Sequence, residues 1–329
     1  MRCEKKKMRK IPLVVIFAPT ACGKTALCAS VFGAKSSLLR LRGKGEIISA
    51  DSMAVYRGMN IGTAKPDKDT QSLIPHHLID VADIKEQFDA SRFIDEADKC
   101  AEEIFSRGKM PVMAGGTGFY IRSFLLGLPP TPPSDPLVRE ELKARIAKEG
   151  NEALYRELKS VDKVSADKIH PNDAYRICRA LEVFYLTGKP RSAFVQNNVI
   201  RDKYEANIII LTRERKDLYA RIDERVEEMF ARGLLAEVTD LLKAGHTADE
   251  AGMKAIGYSE AAKRWQGRDF TQGEIEEIKE EIKFNSKRYA KKQYTFMSEL
   301  PNAKTFDADD KEKISKNICD FFDYIFIST

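Results

Sequence analysis

Residues 10–25 read Lys-Ile-Pro-Leu-Val-Val-Ile-Phe-Ala-Pro-Thr-Ala-Cys-Gly-Lys-Thr, and this stretch decides the fold. Its first eight residues form an apolar run that predicts a buried strand. Its last eight end in Gly-Lys-Thr and lead into helix-forming residues, which predicts a phosphate-binding loop between a strand and a helix. In such a loop, backbone N–H groups and a helix N-terminus face one anion. The candidate anion-binding residues are Ala18, Pro19, Thr20, Ala21, Cys22, Gly23, Lys24 and Thr25.

Two side chains of this loop have specific candidate roles. Lys24 offers a positive charge to a phosphate, and the Thr25 hydroxyl is a candidate ligand for a Mg²⁺ ion that bridges two phosphates. Loops of this kind are typical of ATP-binding and other nucleotide-binding proteins. Ala18 stands where the motif usually has its first glycine. Because alanine pays a steric cost wherever φ must be positive, we expect a slightly imperfect loop.

Composition sets the class of protein. The 329 residues suffice for two domains, and the contents of 43% hydrophobic and 32% charged residues are ordinary. No apolar run approaches the roughly 18 residues that span a bilayer, so we expect no membrane partner. The six cysteines are scattered without C-x-x-C pairs, which predicts free thiols in a reducing cytoplasm. The net charge of +5 permits a nucleic-acid partner without requiring one.

An export signal is an alternative interpretation of the N-terminus. Residues 1–10 are basic, Ile11 to Ala18 are apolar, and Ala21-Cys22 resembles a lipoprotein cleavage site. A signal peptide has no reason to carry Gly-Lys-Thr directly after its cysteine, and the rest of the chain has no secretory features. We therefore expect a cytoplasmic protein.

The order of elements predicts an α/β fold, a parallel P-loop sheet core flanked by helices. Further strands are predicted at Glu46–Ala50, Met110–Ala114 and Ala206–Leu211. An amphipathic helix is predicted at Ser91–Arg107, with Ser91 as its cap. Strands that alternate with loops and helices in this order favour parallel pairing with helices on both faces.

Asp51 directly follows the second strand and is the carboxylate best placed for chemistry. Ligands of parallel sheets bind beyond the carboxyl ends of the strands. A turn or helix cap is an equally good interpretation, because Asp and Ser are both favoured there. The third strand ends in Gly115-Gly116 rather than in the Asp that often orders Mg²⁺ and water in P-loop hydrolases. This favours a loop that holds a leaving group.

A proline-rich break at residues 129–133 divides the chain. Helical patterns follow at Pro136–Lys148, Glu152–Ser160 and Asn172–Thr187. We predict the first part of the P-loop core at residues 1–130, an inserted all-helical subdomain at 131–200, and completion of the core with basic C-terminal helices at 201–329.

Several polar clusters leave alternatives open. Arg176 and Arg179 either contact phosphate or RNA, or form a solvated face or an ion pair with Glu182. His76-His77 suggests a metal site, but adjacent histidines point different ways, which favours a packed or hydrogen-bonding role. A long helix predicted at Glu274–Met297 is equally a nucleic-acid surface or a solvated helix whose aromatics pack inward. Its cations are Lys279, Lys283, Lys287, Arg288, Lys291 and Lys292, interleaved with Tyr289, Tyr294 and Phe296.

These motifs, taken in order, resemble one family. The series is Pro19–Thr25, the run from Ser49 to Pro66, residues 75–80 (Pro-His-His-Leu-Ile-Asp), Gly115–Tyr120, Asn172–Val183 and Ala255–Tyr258. It resembles bacterial tRNA dimethylallyltransferase over about residues 11–297. The resemblance implies transfer of a dimethylallyl group from dimethylallyl diphosphate to N6 of adenosine 37, the adenine 3′ of the anticodon. The implied partners are a tRNA anticodon stem-loop and dimethylallyl diphosphate, with Mg²⁺ as cofactor, and we expect a monomer.

The resemblance also implies roles for individual residues. Asp51 would be the general base, with Lys24 and Thr117 as further catalytic residues. Arg221 or Arg225 would clamp the diphosphate, and sequence does not separate them. The candidate tRNA-binding residues are Asp51, Ser52, Met53, Ala54, Thr117, Arg139, Tyr175, Arg176, Ile177, Cys178 and Arg179.

Departures from the family and alternative functions remain. Ala54 stands where many members have glutamine, residues 290–296 (Ala-Lys-Lys-Gln-Tyr-Thr-Phe) vary a family segment, and the zinc finger of eukaryotic members has no counterpart. The alternatives are an adenylate dimethylallyltransferase, a P-loop small-molecule kinase and a non-catalytic RNA-binding module. The helical insert and the basic helix favour tRNA over a free nucleotide, which needs neither.

Overall fold

The computed structural model describes residues 10–195 and 198–326. Cys3, one of the predicted thiols, and the basic segment before Lys10 lie outside these residues. The strands are β1 Ile11–Phe17, β2 Gly45–Ala50, β3 His76–His77, β4 Met110–Gly115, β5 Tyr204–Thr212 and β6 Lys304–Asp307.

The helices surround these strands in sequence order. They are α1 Lys24–Phe32, α2 Lys68–Leu73, α3 Ala90–Ser106, α4 Gly118–Leu126, α5 Pro136–Glu149, α6 Asn151–Val161, α7 Lys163–Ala166, α8 Ala174–Thr187, α9 Arg215–Ala231, α10 Leu234–Lys243, α11 Tyr258–Arg264, α12 Gln272–Met297 and α13 Lys311–Phe326. Short 3-10 turns occur at Arg191–Ala193 and Gly252–Lys254.

The sheet is parallel throughout the described residues, in the order β3-β2-β4-β1-β5-β6. Phe17 at the end of β1 pairs with Gly115 on β4 and with Ile210 on β5. Gly115 in turn pairs with Ala50 at the end of β2. The segments that follow β1, β2 and β4 therefore leave the sheet side by side at one edge, and the predicted α/β fold is confirmed.

Burial explains why β1 is the central strand. All seven of its residues are buried, as expected when both faces of a parallel sheet are covered. Val14 and Ile16 belong to an apolar core that also contains Leu27 of α1 and Ile318 of α13. A separate aromatic cluster joins α3, α4 and β5, in which the rings of Phe93 and Tyr120 stack with centroids 4.4 Å apart.

Capping residues set the helix ends, and one prediction fails here. Asp89, not Ser91, caps α3, because its Oδ1 accepts from the Arg92 amide at 3.0 Å. Asp173 caps α8 by accepting from the Arg176 amide at 3.1 Å. This helix therefore begins at Ala174, two residues after the predicted start.

The chain divides into two compact units. The larger comprises the chain up to Leu125 and from Ile200 onward, and the smaller is Leu126–Val199. The larger unit contains the sheet, and the smaller packs α5 to α8 around its own apolar core. The five cysteines in the described residues are all free thiols. Within residues 10–195 and 198–326, no helix has the length and apolar composition required to cross a membrane.

Candidate active site

A cavity of about 590 Å³ opens at the edge of the sheet where β1, β2 and β4 end. This volume suits a small-molecule site. The lining comes from the larger unit and brings together the loop residues Thr20–Ala26, residues 51–54 after β2, Gly115 and Gly116 after β4, residues 62–64, Arg225 on α9, and Tyr289 and Gln293 on α12.

The phosphate-binding loop takes its left-handed backbone at Ala21 and Gly23, with φ of 60° and 90°. Ala18 is not among the positive-φ residues, so its replacement of a glycine carries no conformational strain. The helix α1 begins at Lys24 without a side-chain cap among the described residues. The first amides of a helix have no intrahelical partner, so those of Lys24 and Thr25 are available to an anion.

Three predicted anion-binding residues contribute differently from the motif's prediction. The Ala18 amide donates to the Gly115 carbonyl at 3.3 Å, and Pro19 has no N–H. The carbonyl oxygens of Ala18 and Pro19 both accept from Lys24 Nζ at 2.8 Å. The Thr20 amide donates to Gln293 Oε1 at 3.1 Å. An anion therefore meets the later half of the loop.

Two cations in the cavity lack an acidic partner. Burial lowers the pKa of Lys24 to about 8, and the charge of nearby Arg225 adds to the shift while Asp51 opposes part of it. Burial also lowers the pKa of the Arg225 guanidinium. In the described part of the chain neither cation forms an ion pair. Arg221, by contrast, is exposed and does not line the cavity, so the geometry favours Arg225 as the clamp.

Asp51 caps a turn and also lines the cavity. Its Oδ1 accepts from the amides of Met53 at 2.9 Å and Ala54 at 3.2 Å, which is a turn cap. The residue also lines the cavity. Thr117 Oγ1 accepts from the Ser52 amide at 2.9 Å and donates to Ser52 Oγ at 3.3 Å, and it does not line the cavity. Thr117 thus fixes the turn that carries Asp51.

Gln293 and Tyr289 are site residues that sequence reasoning missed. The Gln293 amide group is buried, donates to the Gly116 carbonyl at 2.7 Å and accepts from the Thr20 amide, so it bridges two loops. Burial, aided by the Asp51 charge, raises the pKa of Tyr289 to about 12. Both lie on one stripe of α12, together with Ile282 and Ser286. This helical spacing was the available signal.

Close packing explains the glycines that end β4. A Cβ on Gly115 would lie 2.1 Å from the Ala50 carbonyl oxygen, and one on Gly116 would lie 2.3 Å from Gln293 Nε2. A side chain at Gly115 would displace β2, and one at Gly116 would displace the amide group of Gln293. The carboxylate of the site therefore has to come from the neighbouring strand end, which carries Asp51.

The donors at the loop fit Mg²⁺. The Thr25 hydroxyl and the Asp51 carboxylate, both hard oxygen donors, line the same cavity. Mg²⁺ typically takes one or two protein ligands and fills its shell with water and substrate phosphates. Elsewhere, His77 Nε2 hydrogen-bonds to Glu46 Oε2 at 2.7 Å and His76 Nδ1 to the Ile74 carbonyl at 2.8 Å, which confirms the hydrogen-bonding interpretation of this pair.

The candidate RNA-binding residues of the smaller unit differ in their exposure to solvent. Glu182 is fully buried and accepts from Arg179 Nη1 at 2.6 Å, with Arg139 Nε at 3.5 Å. The ion-pair interpretation of Arg179 is therefore confirmed. Ile177 is fully buried in the core of this unit, so its side chain is not presented to solvent, and its RNA contact stays a prediction. Cys178 is half-buried against the same core.

Tyr175 and Arg176 are the surface members of that set. Tyr175 is 68% exposed, and the guanidinium of Arg139 lies over its ring at 5.5 Å. The Arg176 side chain is 65% exposed, and its Nε lies 3.4 Å from Asp173 Oδ2. These two residues present an aromatic face and a cation to solvent.

The cations of α12 fall into two groups. Lys279 and Lys283 pair with Glu227 of α9 at 2.9 and 2.8 Å, and Lys287 pairs with Asp223 at 2.6 Å. The others are exposed and form no ion pair within the described residues; we call them the outer cations: Arg288, Lys291 and Lys292. Tyr294 packs inward with α9, as one interpretation predicts.

Comparison with known proteins agrees with this geometry. The family model described as IPP transferase matches residues 54–299. A tRNA dimethylallyltransferase of Geobacter sulfurreducens is 42% identical over 296 residues, covering 90% of this chain and 91% of that protein. The crystal structure of a tRNA isopentenylpyrophosphate transferase from Bacillus halodurans matches with a TM-score of 0.67 and 36% identity, over 96% of this chain and 98% of that one. A eukaryotic dimethylallyltransferase acting on tRNA matches with a TM-score of 0.76 and 26% identity, over 97% and 80% of the two chains.

Proposed function

The chain belongs to the IPP transferase family, and we propose that its cavity transfers a dimethylallyl group from dimethylallyl diphosphate to adenosine 37 of tRNA, releasing diphosphate. It is a prenyltransferase enzyme that modifies tRNA. The observation that carries the proposal is the content of one cavity. It contains the cations of Lys24 and Arg225, neither of which forms an ion pair within the described residues, and the carboxylate of Asp51.

The reaction follows from the charges. The exocyclic amine of adenine is a weak nucleophile, because its lone pair is conjugated with the ring. The C1–O bond of the prenyl diphosphate breaks as the N6–C1 bond forms, and the N6 proton passes to the Asp51 carboxylate. Lys24, Arg225 and the first amides of α1 stabilise the charge that develops on the departing diphosphate. The adenine has to leave its stack to reach Asp51.

Thr25 would hold Mg²⁺ through its hydroxyl. The ion would supply additional positive charge at the diphosphate oxygens. Tyr289 remains a hydroxyl at neutral pH, because burial raises its pKa to about 12. It is therefore a hydrogen-bond donor beside Asp51 rather than a second base.

The choice of residues that contact the RNA backbone depends on whether each cation already has an acidic partner. Only cations without an acidic partner gain fully from a phosphate, since a paired one must first give up its carboxylate. We assign the outer cations of α12 to the backbone, together with Arg176, whose ion pair with Asp173 at 3.4 Å is exposed to solvent and therefore weak. Tyr175 is the exposed ring that suits an unstacked base.

The test is mass spectrometry of unmodified tRNA incubated with the protein, Mg²⁺ and dimethylallyl diphosphate. We expect one five-carbon addition at adenosine 37. Asp51→Asn should abolish it while retaining tRNA binding, because the amide oxygen can still accept from Met53 and Ala54. Asp69→Asn, an exposed acid in α2, is the matched control. Transfer to AMP in preference to tRNA, or full turnover by Asp51→Asn, contradicts the proposal.

A further inference from the structure

Two side chains outside the cavity hold one of its walls. The Glu237 carboxylate of α10 accepts from the amide of Asn60 at 3.0 Å and from that of Ile61 at 2.9 Å. The Tyr258 hydroxyl donates to Glu237 Oε1 and accepts from the Gly62 amide at 3.2 Å. Three consecutive backbone amides therefore end on one carboxylate–tyrosine pair.

The wall itself needs this support. Gly62, Thr63 and Ala64 line the cavity, and Ala64 adopts a left-handed backbone with φ of 46°. A non-glycine residue in that region is strained, and it persists only where its surroundings fix it. The Lys65 ammonium is buried on the Tyr56 carbonyl, at 2.7 Å, and cannot face the cavity.

The wall and Tyr258 are in direct contact. Tyr258 is fully buried, and a Cβ on Gly62 would lie 2.4 Å from its ring. A shift of this ring or of its hydroxyl would therefore move the wall. The same cavity is also lined by apolar side chains: Ile222, Val226, Met229, Ile256 and Ile282.

We propose that Glu237 and Tyr258 are positioning residues that fix residues 60–64 as a rigid wall, and that this wall limits the prenyl group to five carbons. The inference rests on the proposed function. Neither side chain lines the cavity, so both act through the wall. An apolar surface by itself attracts longer prenyl chains more strongly, because burial of apolar area is favourable and not directional. Selection of a short chain therefore requires a wall that does not yield.

The experiment compares dimethylallyl and geranyl diphosphate as donors. In Tyr258→Phe and Glu237→Gln we expect kcat/KM for the five-carbon donor to fall at least fivefold, mostly through KM. The ratio of kcat/KM values, five-carbon over ten-carbon, should fall at least fivefold in the same variants. Asp240→Asn, an exposed acid three residues along α10, is the matched control and should leave both unchanged.

Each outcome decides a different point. An inactive wild type counts against the proposed function, whereas an active wild type with an unchanged donor ratio in the variants overturns the wall alone. If the variants fail to fold, amide hydrogen exchange measured on the wild type tests the inference instead. We expect the amides of Asn60, Ile61 and Gly62 to exchange at least 100-fold more slowly than free peptide. Exchange at the free rate overturns the inference.

Discussion

Replacing Lys24 by methionine should make the stability of the protein less dependent on pH. The Lys24 ammonium donates to the carbonyl oxygens of Ala18 and Pro19, and burial lowers its pKa to about 8. The folded protein therefore holds a charge at neutral pH that it does not accommodate well. Methionine has a similar length and no charge, so it removes that cost together with the two hydrogen bonds.

The magnitude follows from the pKa. A fall from 10.5 to about 8 corresponds to about 3 kcal/mol, since one unit is worth about 1.4 kcal/mol. Lys24 is partly exposed, so solvent screening reduces the figure to about 1–3 kcal/mol. Between pH 8 and 10.5 the unfolded chain binds a proton that the folded one does not. The free energy of unfolding of the wild type therefore rises with pH in this window.

The assay is urea unfolding followed by the fluorescence of Trp265, the only tryptophan, at pH 7 to 10. Relative to Lys24→Met, the wild type should gain about 1–3 kcal/mol as pH rises. Inorganic diphosphate with Mg²⁺ should stabilise the wild type at pH 7 and have little effect on the variant. Parallel pH curves for the two proteins would refute the reasoning, because they would show that Lys24 titrates alike folded and unfolded.

Three further substitutions test the site and its frame. Arg225→Met should weaken diphosphate binding, measured by calorimetry, at least tenfold, and Arg221→Met should not. Equal effects would contradict the assignment of diphosphate binding to Arg225 rather than Arg221. Gln293→Ala should lower the free energy of unfolding by about 2–4 kcal/mol, because two backbone groups lose a partner; an unchanged urea midpoint would contradict this. Burial raises the pKa of Glu46, but hydrogen bonds from Lys109, His77 and Arg107 outweigh it and bring the pKa to about 2. Glu46→Gln should therefore cost about 2–3 kcal/mol at pH 7, with the difference from the wild type lost as pH falls from about 4.5 through 2; a difference constant down to pH 2 would contradict it.

Local sequence signals predict most of the frame. The strand β1, the loop and α1 follow from one continuous stretch, because an apolar run and Gly-Lys-Thr each have few alternatives. The short strands β3 and β6 do not follow, because two and four residues carry no periodicity and gain their place only by pairing with a neighbour. Asp89 and Ser91 are both good caps, and local sequence does not decide which of them lies at the helix start.

The site was predictable where its residues are contiguous and not where helices pack. Asp51 directly follows β2, and Lys24 follows the loop after β1, so the sheet order brings both residues to the same edge. Arg221 and Arg225 are one turn apart on α9, and only the packing of Leu218 and Ile222 against α12 turns Arg225 inward. Ile177 shows the same limit, because a position inherited from a motif does not state which face of its helix is buried.

Under the proposed function, the helix α12 would link the cavity to the RNA backbone, because its charged residues are sorted by face. Its N-terminal lysines pair with Glu227 and Asp223 of α9, the helix that also carries Arg225 of the cavity. Further along α12, Tyr289 and Gln293 line the cavity, while the outer cations are exposed to solvent. A phosphate that binds those cations would therefore contact the same helix whose Gln293 bridges the two loops of the anion site. A net count of positive charge does not distinguish these roles, because half of the cations already have partners.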